Sequence, residues 1–417
     1  MSDDTRKDYR DTVFLPKTEF PMKAGLAEAE PKWLARWQGL DFYKRLRAER
    51  KGRETFVLHD GPPYANGDMH IGHALNHVLK DMVVRTQTLL GKDAPYVPGW
   101  DCHGLPIEWK VEEEYRKKGK NKDEVDPRAF RAECRAYAQH WVDRQREQLK
   151  RLGVNGDWDN PYLTMDFEAE ATIVAELLKV AESGQLYRGA KPVMWSPVEK
   201  TALAEAEVEY EDYTSDTVWV KFPVNAAHGR LAQAAVVIWT TTPWTLPANQ
   251  AVALHAEFDY SLLEVETAAG VELLLLASEL ADAVLKRAGA AKLREVARAK
   301  GTALEGLKLR HPFYERTVPV ILGEHVTLER GTGAVHTAPG HGQEDFIVGQ
   351  RYGLPVDNPV GNDGRFLPAT PLFAGEKVFD ANQHVVEVLA ERGTLLHHEA
   401  FQHSYPHCWR HKTPVIF

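Results

Sequence analysis

The stretch His59-Asp60-Gly61-Pro62-Pro63-Tyr64-Ala65-Asn66-Gly67-Asp68-Met69-His70-Ile71-Gly72-His73 decides how the first part of this chain folds. Just before it, Thr55-Phe56-Val57-Leu58 is a short apolar run that reads as a buried strand. Prolines fix the backbone and remove donors, so no helix can follow directly. From Ile71 to Leu90 the apolar residues recur at helical spacing. Strand, Gly/Pro-rich turn and helix, in that order, open a doubly wound α/β unit.

Outward from this centre, residues 24–50 read as one helix, with Leu34, Trp37, Leu40 and Leu46 near helical spacing. Pro95-Tyr96-Val97-Pro98-Gly99-Trp100 reads as a second strand and its exit. Residues 128–151 and 168–183 read as further helices. The texture changes near residue 190. Short β-like runs at 217–224, 236–239, 260–265 and 318–322 predict a mixed, β-rich domain. The ends of that segment resemble each other: Lys191-Pro192-Val193-Met194-Trp195 enters it, and His407-Cys408-Trp409-Arg410-His411 leaves it. Matching ends predict paired ribbons and an insertion. The expected domains are 1–190, the inserted 191–400, and a return ribbon at 401–417.

Bulk properties exclude several classes. With 417 residues, two or three domains are expected. Three widely spaced cysteines, Cys102, Cys134 and Cys408, make a disulfide framework unattractive and fit a reducing cytoplasm. No apolar run is long enough to span a bilayer. The N-terminus, MSDDTRKDYR, is too charged for a secretory signal. A net charge of −9 counts mildly against RNA, yet local patches matter more than the sum. Residues 44–53 and 116–122 are two such basic patches, though on these runs alone a solvated helix face is the better explanation of each.

His70 and His73, three apart at a helix start, share one face. Free N–H groups and the dipole there favour an anion, and two imidazoles complete a phosphate cradle. Gly72 between them leaves room for a flat group. Taken alone, such a pair is more often a surface or capping feature. In its setting it reads PYANGDMHIGH after HDGP, which resembles the first ATP motif of class I aminoacyl-tRNA synthetases. With Gly99-Trp100-Asp101-Cys102-His103-Gly104-Leu105-Pro106-Ile107-Glu108, the chain resembles the bacterial isoleucyl-tRNA synthetase family along essentially its whole length.

That resemblance implies an α/β fold: the N-terminal half of a Rossmann-like class I catalytic domain carrying an inserted, mixed, β-rich editing domain. It implies that Pro63 to His73 bind ATP, with His70 and His73 stabilising the transition state of adenylate formation and Gly72 under the adenine. Pro63 would line the isoleucine side-chain pocket. Asp101, His103 and Gly104 would sit beside the amino acid, Asp101 at its ammonium group. Magnesium is expected with the nucleotide, without an all-protein cage. The partners implied are tRNA-Ile, isoleucine and ATP, with no membrane, and the chain is expected to be monomeric. The family's lysine-rich second ATP loop has no counterpart here, so hydrolytic editing is the activity expected to survive; the alternative is a non-catalytic tRNA-binding fragment.

Two stretches of the insertion carry chemistry. One is Trp239-Thr240-Thr241-Thr242-Pro243-Trp244-Thr245-Leu246-Pro247-Ala248-Asn249. The other runs Gly331-Thr332-Gly333-Ala334-Val335-His336-Thr337-Ala338-Pro339-Gly340-His341-Gly342-Gln343-Glu344-Asp345. A threonine row alone is commonly a strand face. Glycines, histidines and acids in one loop are harder to explain by packing; they can hold hydroxyls, a water and an ammonium group. By resemblance Thr240, Thr241, Thr242, Thr245 and Asn249 line the pocket for the terminal adenosine and the ester. His336 shapes the amino-acid pocket, and Asp345 holds the amino group, with Thr241, Thr242 and Asp345 at the hydrolytic centre. Such a second sieve has a physical cause. One methylene discriminates weakly, and isoleucyl enzymes are themselves the standard example of that limit, at about 150-fold. Cys408-x-x-His411, with His403 and His407 near, invites a zinc reading, but Trp195-Ser196-Pro197-Val198-Glu199 offers no thiol at the other junction. A metal-free ribbon is therefore expected.

Overall fold

The protein is described by a computed structural model covering residues 9–14, 18–19, 23–225, 229 and 231–417. The charged N-terminal stretch falls largely outside these residues, at 1–8. The chain divides into two compact units, Met1–Tyr187 and Arg188–Phe417.

The first unit contains α1 (Leu26–Gly39), α2 (Phe42–Arg50), α3 (Ile71–Leu89), β1 (Gly99–Trp100), α4 (Leu105–Lys117), α5 (Pro127–Arg151), β2 (Tyr162–Leu163) and α6 (Phe167–Glu182). The single helix expected over 24–50 is broken, because Asp41 takes a left-handed conformation at φ 47° between α1 and α2. Asp tolerates that region through local hydrogen bonding. The strand expected at 55–58 is reduced to one parallel bridge, Thr55 to Asp93. The strand expected at 95–100 shortens to β1, which pairs in parallel with β2. Pro95 and Pro98 lack the N–H that a longer ladder needs. Trp100, Ile107, Ala138, Val142 and Leu149 form the centre of this unit's core. α5 supplies Ala138, Val142, Gln145 and Leu149 to it, at spacings of one helical turn.

The second unit contains β3 (Trp195–Ser196), β4 (Thr201–Ala202), β5 (Val208–Pro223), β6 (Ala234–Thr240), β7 (Ala251–Leu254), β8 (Asp259–Thr267), β9 (Gly270–Ala277), α7 (Ala281–Arg287), β10 (Ala291–Lys300), β11 (Lys308–Arg310), β12 (Thr317–Leu322), β13 (Ala334–Thr337), α8 (Gln343–Arg351), α9 (Val378–Glu391) and β14 (Leu395–Cys408). β3 and β4 form a separate antiparallel pair, and the two larger sheets are mixed. One has the order β10-β8-β9-β6-β5-β14, and the other β11-β12-β7-β13. Alternation along β5 and β6 explains the layers. Val218, Val220, Phe222, Val236 and Ile238 join one core with α9, while Trp219 and Val237 join another with α7. With both faces covered, β6 reads as a continuous apolar run rather than an alternating one. The two ends of the unit meet, since Trp195 and Ile416 exchange backbone hydrogen bonds of 2.8 and 3.0 Å.

One buried side chain organises the turn that opened the sequence reading. Gln145 Oε1 accepts from Trp100 Nε1 at 2.8 Å, and Gln145 Nε2 donates to Gly67 O at 2.8 Å and Tyr64 O at 3.2 Å. Gln145→Leu leaves two polar groups, Trp100 Nε1 and Gly67 O, without a partner, each costing about 1–3 kcal/mol, while Tyr64 O keeps its bond from Asn66 N. The first unit should lose roughly 2–4 kcal/mol, measured by urea unfolding followed through tryptophan fluorescence. A loss below about 0.5 kcal/mol would show that Gln145 does not hold the turn.

Candidate functional site

In the first unit, the turn is tied down residue by residue. Asp101 N donates to Pro63 O at 2.8 Å, and Ala65 N donates to Asp101 O at 2.9 Å, so Pro63, Tyr64 and Asp101 sit side by side. Asn66 Nδ2 donates to Pro106 O, and its Oδ1 accepts from Tyr137 Oη, both at 2.8 Å. Met69 N donates to Gln148 Oε1 at 3.0 Å, and Asp68 pairs with Arg144. The Arg144 contact, ahead of the Gln148 bond, holds the Asp68 carboxyl below the usual carboxylate range.

His70 is the N-cap of α3. Its Nδ1 accepts from Gly72 N at 3.1 Å, and His73 Nδ1 accepts from His70 N at 3.3 Å. Two donors are thereby satisfied reciprocally. With both Nδ1 atoms accepting, each neutral ring carries its proton on Nε2. The rings lie 3.9 Å apart, centroid to centroid. Burial, then the neighbouring His70, pulls the His73 pKa down. Gly72 has a reason of its own, because a Cβ there would stand 2.9 Å from the His70 ring. His103 is turned aside: its Nε2 lies 2.9 Å from Glu170 Oε1. Gly104, at φ 80°, turns the chain into α4.

The second unit joins five of the seven predicted pocket residues in one hydrogen-bond network. β6 ends at Thr240, whose Oγ1 accepts from Thr242 N at 3.2 Å. Thr242 Oγ1 lies 3.3 Å from Thr240 Oγ1 and 3.3 Å from Thr245 Oγ1. Thr245 Oγ1 donates to Thr242 O at 2.8 Å and meets His336 Nε2 at 2.9 Å. Asn249 Nδ2 donates to Ala251 O at 2.8 Å and faces His336 Nδ1 at 3.5 Å. Since Thr245 spends its proton on Thr242 O, His336 must donate from Nε2 and accept at Nδ1. It is a neutral imidazole: burial first, then His341, pulls its pKa down to about 4.

Thr241 and Asp345 stand outside that network. Thr241 is half-buried and makes no hydrogen bond among the described residues. Asp345 lies in the first turn of α8 and accepts from Ala338 N at 2.9 Å, two residues beyond His336. Burial, the largest cause, pushes its pKa up to about 7.

Several supports escaped the sequence reading. The turn 243–248 is clamped from three directions: Trp244 N donates to Asn382 Oδ1 at 3.1 Å, Leu246 O accepts from His311 at 3.0 Å, and Pro247 O accepts from Arg316 at 2.6 Å. No local pattern announces such long-range partners. The glycines of the second stretch also serve packing. A Cβ on Gly333 would lie 2.3 Å from Ala277 Cβ, and one on Gly340 would lie 2.3 Å from Asp357 O. Asn249 Oδ1, Thr337 Oγ1 and His341 Nε2 are buried without a hydrogen-bond partner. Close to the unit's two ends, Glu199, Cys408 and His411 bring ligand atoms within 4.8 Å of one another. The sequence reading looked for thiols at residues 195–199 and gave Glu199 no part.

A family model described as tRNA synthetases class I (I, L, M and V) matches residues 32–397, and the chain belongs to that family. Its curated relatives narrow the likeness. It is 60% identical to the isoleucine–tRNA ligase of Methylococcus capsulatus, over 98% of this chain and 44% of that protein. It is 58% identical to the isoleucine–tRNA ligase of Nitrosococcus oceani over the same shares. The chain thus spans less than half the length of these relatives. Among solved structures, the LeuRS–tRNA–LeuAMS ternary complex of Agrobacterium radiobacter K84 is 20% identical over 92% of this chain and 48% of that one, with a TM-score of 0.38. Among the described residues no helix is long and apolar enough to cross a membrane.

The raised Asp345 pKa fixes the sign of a stability effect. Below about pH 4 the carboxyl is protonated folded and unfolded, so it contributes nothing. Between that pH and about 7 the unfolded chain ionises while the folded one stays neutral, so stability falls as pH rises. Asp345→Asn removes this penalty. The variant should match the parent near pH 4 and exceed it by a few kcal/mol at most at pH 7.5, in urea unfolding of both proteins. A variant advantage that stays flat from pH 4 to 7.5 would contradict the raised pKa of this carboxyl.

Proposed function

We propose that the second unit is a hydrolytic editing domain of an isoleucine–tRNA ligase, and that the first unit supplies its ATP-motif half-site. One observation carries this reading: the unbroken chain Thr240–Thr242–Thr245–His336–Asn249, with the half-buried Asp345 carboxyl in the same unit, in a sequence 60% identical to a curated isoleucine–tRNA ligase. Hydroxyls, amide and imidazole in a desolvated pocket are the groups needed to hold ribose oxygens and an ester. Asp345 has an incomplete set of donors, one backbone N–H. The α-ammonium of a misattached amino acid completes it, and its positive charge favours the ionised carboxylate. His336 is pinned at both ring nitrogens, so it acts as a fixed wall rather than a proton carrier.

In the first unit, Nε2–H donors of His70 and His73 beside the N-terminus of α3 suit the phosphates of ATP. Magnesium, when bound with the nucleotide, would offset phosphate charge there. Asp101, next to Pro63, is the carboxylate suited to the ammonium of isoleucine. tRNA-Ile is the partner implied by the editing reading.

The test is hydrolysis of Val-tRNA-Ile by the purified chain. Asp345→Ala removes a charge-assisted hydrogen bond worth about 1.5–3 kcal/mol, so hydrolysis should fall roughly ten- to a hundredfold. His336→Ala removes the wall, and Ile-tRNA-Ile should become a substrate. Parent-like hydrolysis by Asp345→Ala, at matched circular dichroism, would remove the ammonium anchor. A parent chain that binds the tRNA and never hydrolyses the ester would instead make it a non-catalytic tRNA-binding module.

A further inference from the structure

The ladder between β7 and β13, which delivers His336, stops one pair short of what its register allows. Leu254 stands opposite Ala334, and Ala251 opposite Thr337. The next pair in that register is His255 with Gly333. There the hydroxyl of Tyr260 lies between the two backbones: His255 N donates to Tyr260 Oη at 2.9 Å, and Tyr260 Oη donates to Gly333 O at 2.6 Å. A side chain from β8 thus takes the place of a ladder hydrogen bond. It holds the two backbones a hydroxyl's width further apart than a direct N–H to C=O bond would.

The spacer is itself fixed. Tyr260 is buried, and a Cβ on Gly301 would stand 3.2 Å from its ring and 2.0 Å from His255 O. The His255 ring stacks on Phe258, with centroids 3.9 Å apart. The turn that Tyr260 holds has a second hold, since Ala277 N donates to Thr332 O at 3.0 Å. Gly333, at φ 72°, then leads the chain into β13. Burial pushes the pKa of the Tyr260 hydroxyl up to about 12, so it stays a donor at neutral pH.

His336 follows Gly333 by three residues and has little slack. Its ring meets Thr245 Oγ1 at 2.9 Å and Asn249 Nδ2 at 3.5 Å. We propose that Tyr260 is a positioning residue for His336: its hydroxyl sets the separation of β7 and β13, and with it the place of the imidazole that excludes the larger amino acid. The inference rests on the editing reading and deepens it, because it assigns part of the discrimination between valine and isoleucine to a hydroxyl outside the network. Without that hydroxyl, His255 N and Gly333 O are free to bond directly. The start of β13 then moves toward β7 by about 1–2 Å, and His336 moves with it.

The experiment compares the purified 417-residue chain with Tyr260→Phe, which keeps the ring and loses only the hydroxyl. Two readouts are taken. One is hydrolysis of Val-tRNA-Ile and of Ile-tRNA-Ile. The other is the tautomer of His336, read by NMR from isotope-labelled imidazole nitrogens and assigned with His336→Gln. In the parent, His336 should carry its proton on Nε2 alone. In Tyr260→Phe the ring nitrogens should shift or average between tautomers, and the ratio of Val to Ile hydrolysis should fall about tenfold or more. Replacing Tyr260 by p-aminophenylalanine, which keeps a donor and an acceptor in the same place, should restore both. Tyr115→Phe, which loses a hydroxyl bonded to Glu133 in the first unit, should change neither. Parent tautomer and parent ratio in Tyr260→Phe, at matched circular dichroism, overturn the inference. So does a parent whose His336 exchanges between tautomers, which decides the matter should the variant not fold. A parent that hydrolyses neither ester sinks the editing reading, and the tautomer comparison then decides on Tyr260 alone.

Discussion

The antiparallel pairing of β5 with β14, from Val220 with Leu395 down to Val208 with Cys408, is the constraint on which the second unit depends. It joins segments nearly two hundred residues apart. Closing so long a loop costs only slowly more with length, and burial of Val218, Val220 and Phe222 against α9 offsets it. At one end the ribbon sets Cys408 and His411 opposite Ser196 and Glu199. On its other edge β5 pairs with β6, Val218 lying beside Thr240, so the same strand fixes where the threonine turn begins. The second stretch arrives from a different sheet, through β13 paired to β7, with His336 beside Val252. The hydrogen-bond network is therefore a meeting of two sheets, and its precision rests on the core between them.

Burial decides the chemistry of His336 and Asp345 more than charge does. His336 is kept neutral and Asp345 is pushed toward neutrality, both chiefly by desolvation. Burial of Thr240, Thr245, Asn249 and His336 makes each hydrogen bond among them stronger and each missing one more expensive. Backbone clamps from Asn382, His311 and Arg316 hold the 243–248 turn.

Much of this was legible in the sequence, and the limits have physical causes. The α3 helix, its histidine cap and the β-rich character of the second unit follow from periodicity and turn chemistry, which are local. The strands at 55–58 and 95–100 shrank because proline withholds donors from a ladder. The break at Asp41 depended on one left-handed residue inside an otherwise helical pattern. Motif resemblance singled out Thr240, Thr242, Thr245, Asn249 and His336, and these five share one network; Thr241 and Asp345 do not join it. Gln145, His311 and Glu199 stayed silent, because each acts through a partner distant in sequence.

The central claim is that Asp345, a carboxyl whose pKa burial raises to about 7, receives the ammonium group of the amino acid. Calorimetric titration of the chain with 3′-valylamino-3′-deoxyadenosine, which cannot be hydrolysed as the ester is, tests this most directly. At pH 6, below the Asp345 pKa of about 7, the carboxyl must lose its proton to receive the ligand. The heat should depend on the buffer and report release of close to one proton, and Asp345→Asn should abolish that release. Binding with the same heat in buffers of different ionisation enthalpy, or unchanged release in the Asn variant, would contradict the account.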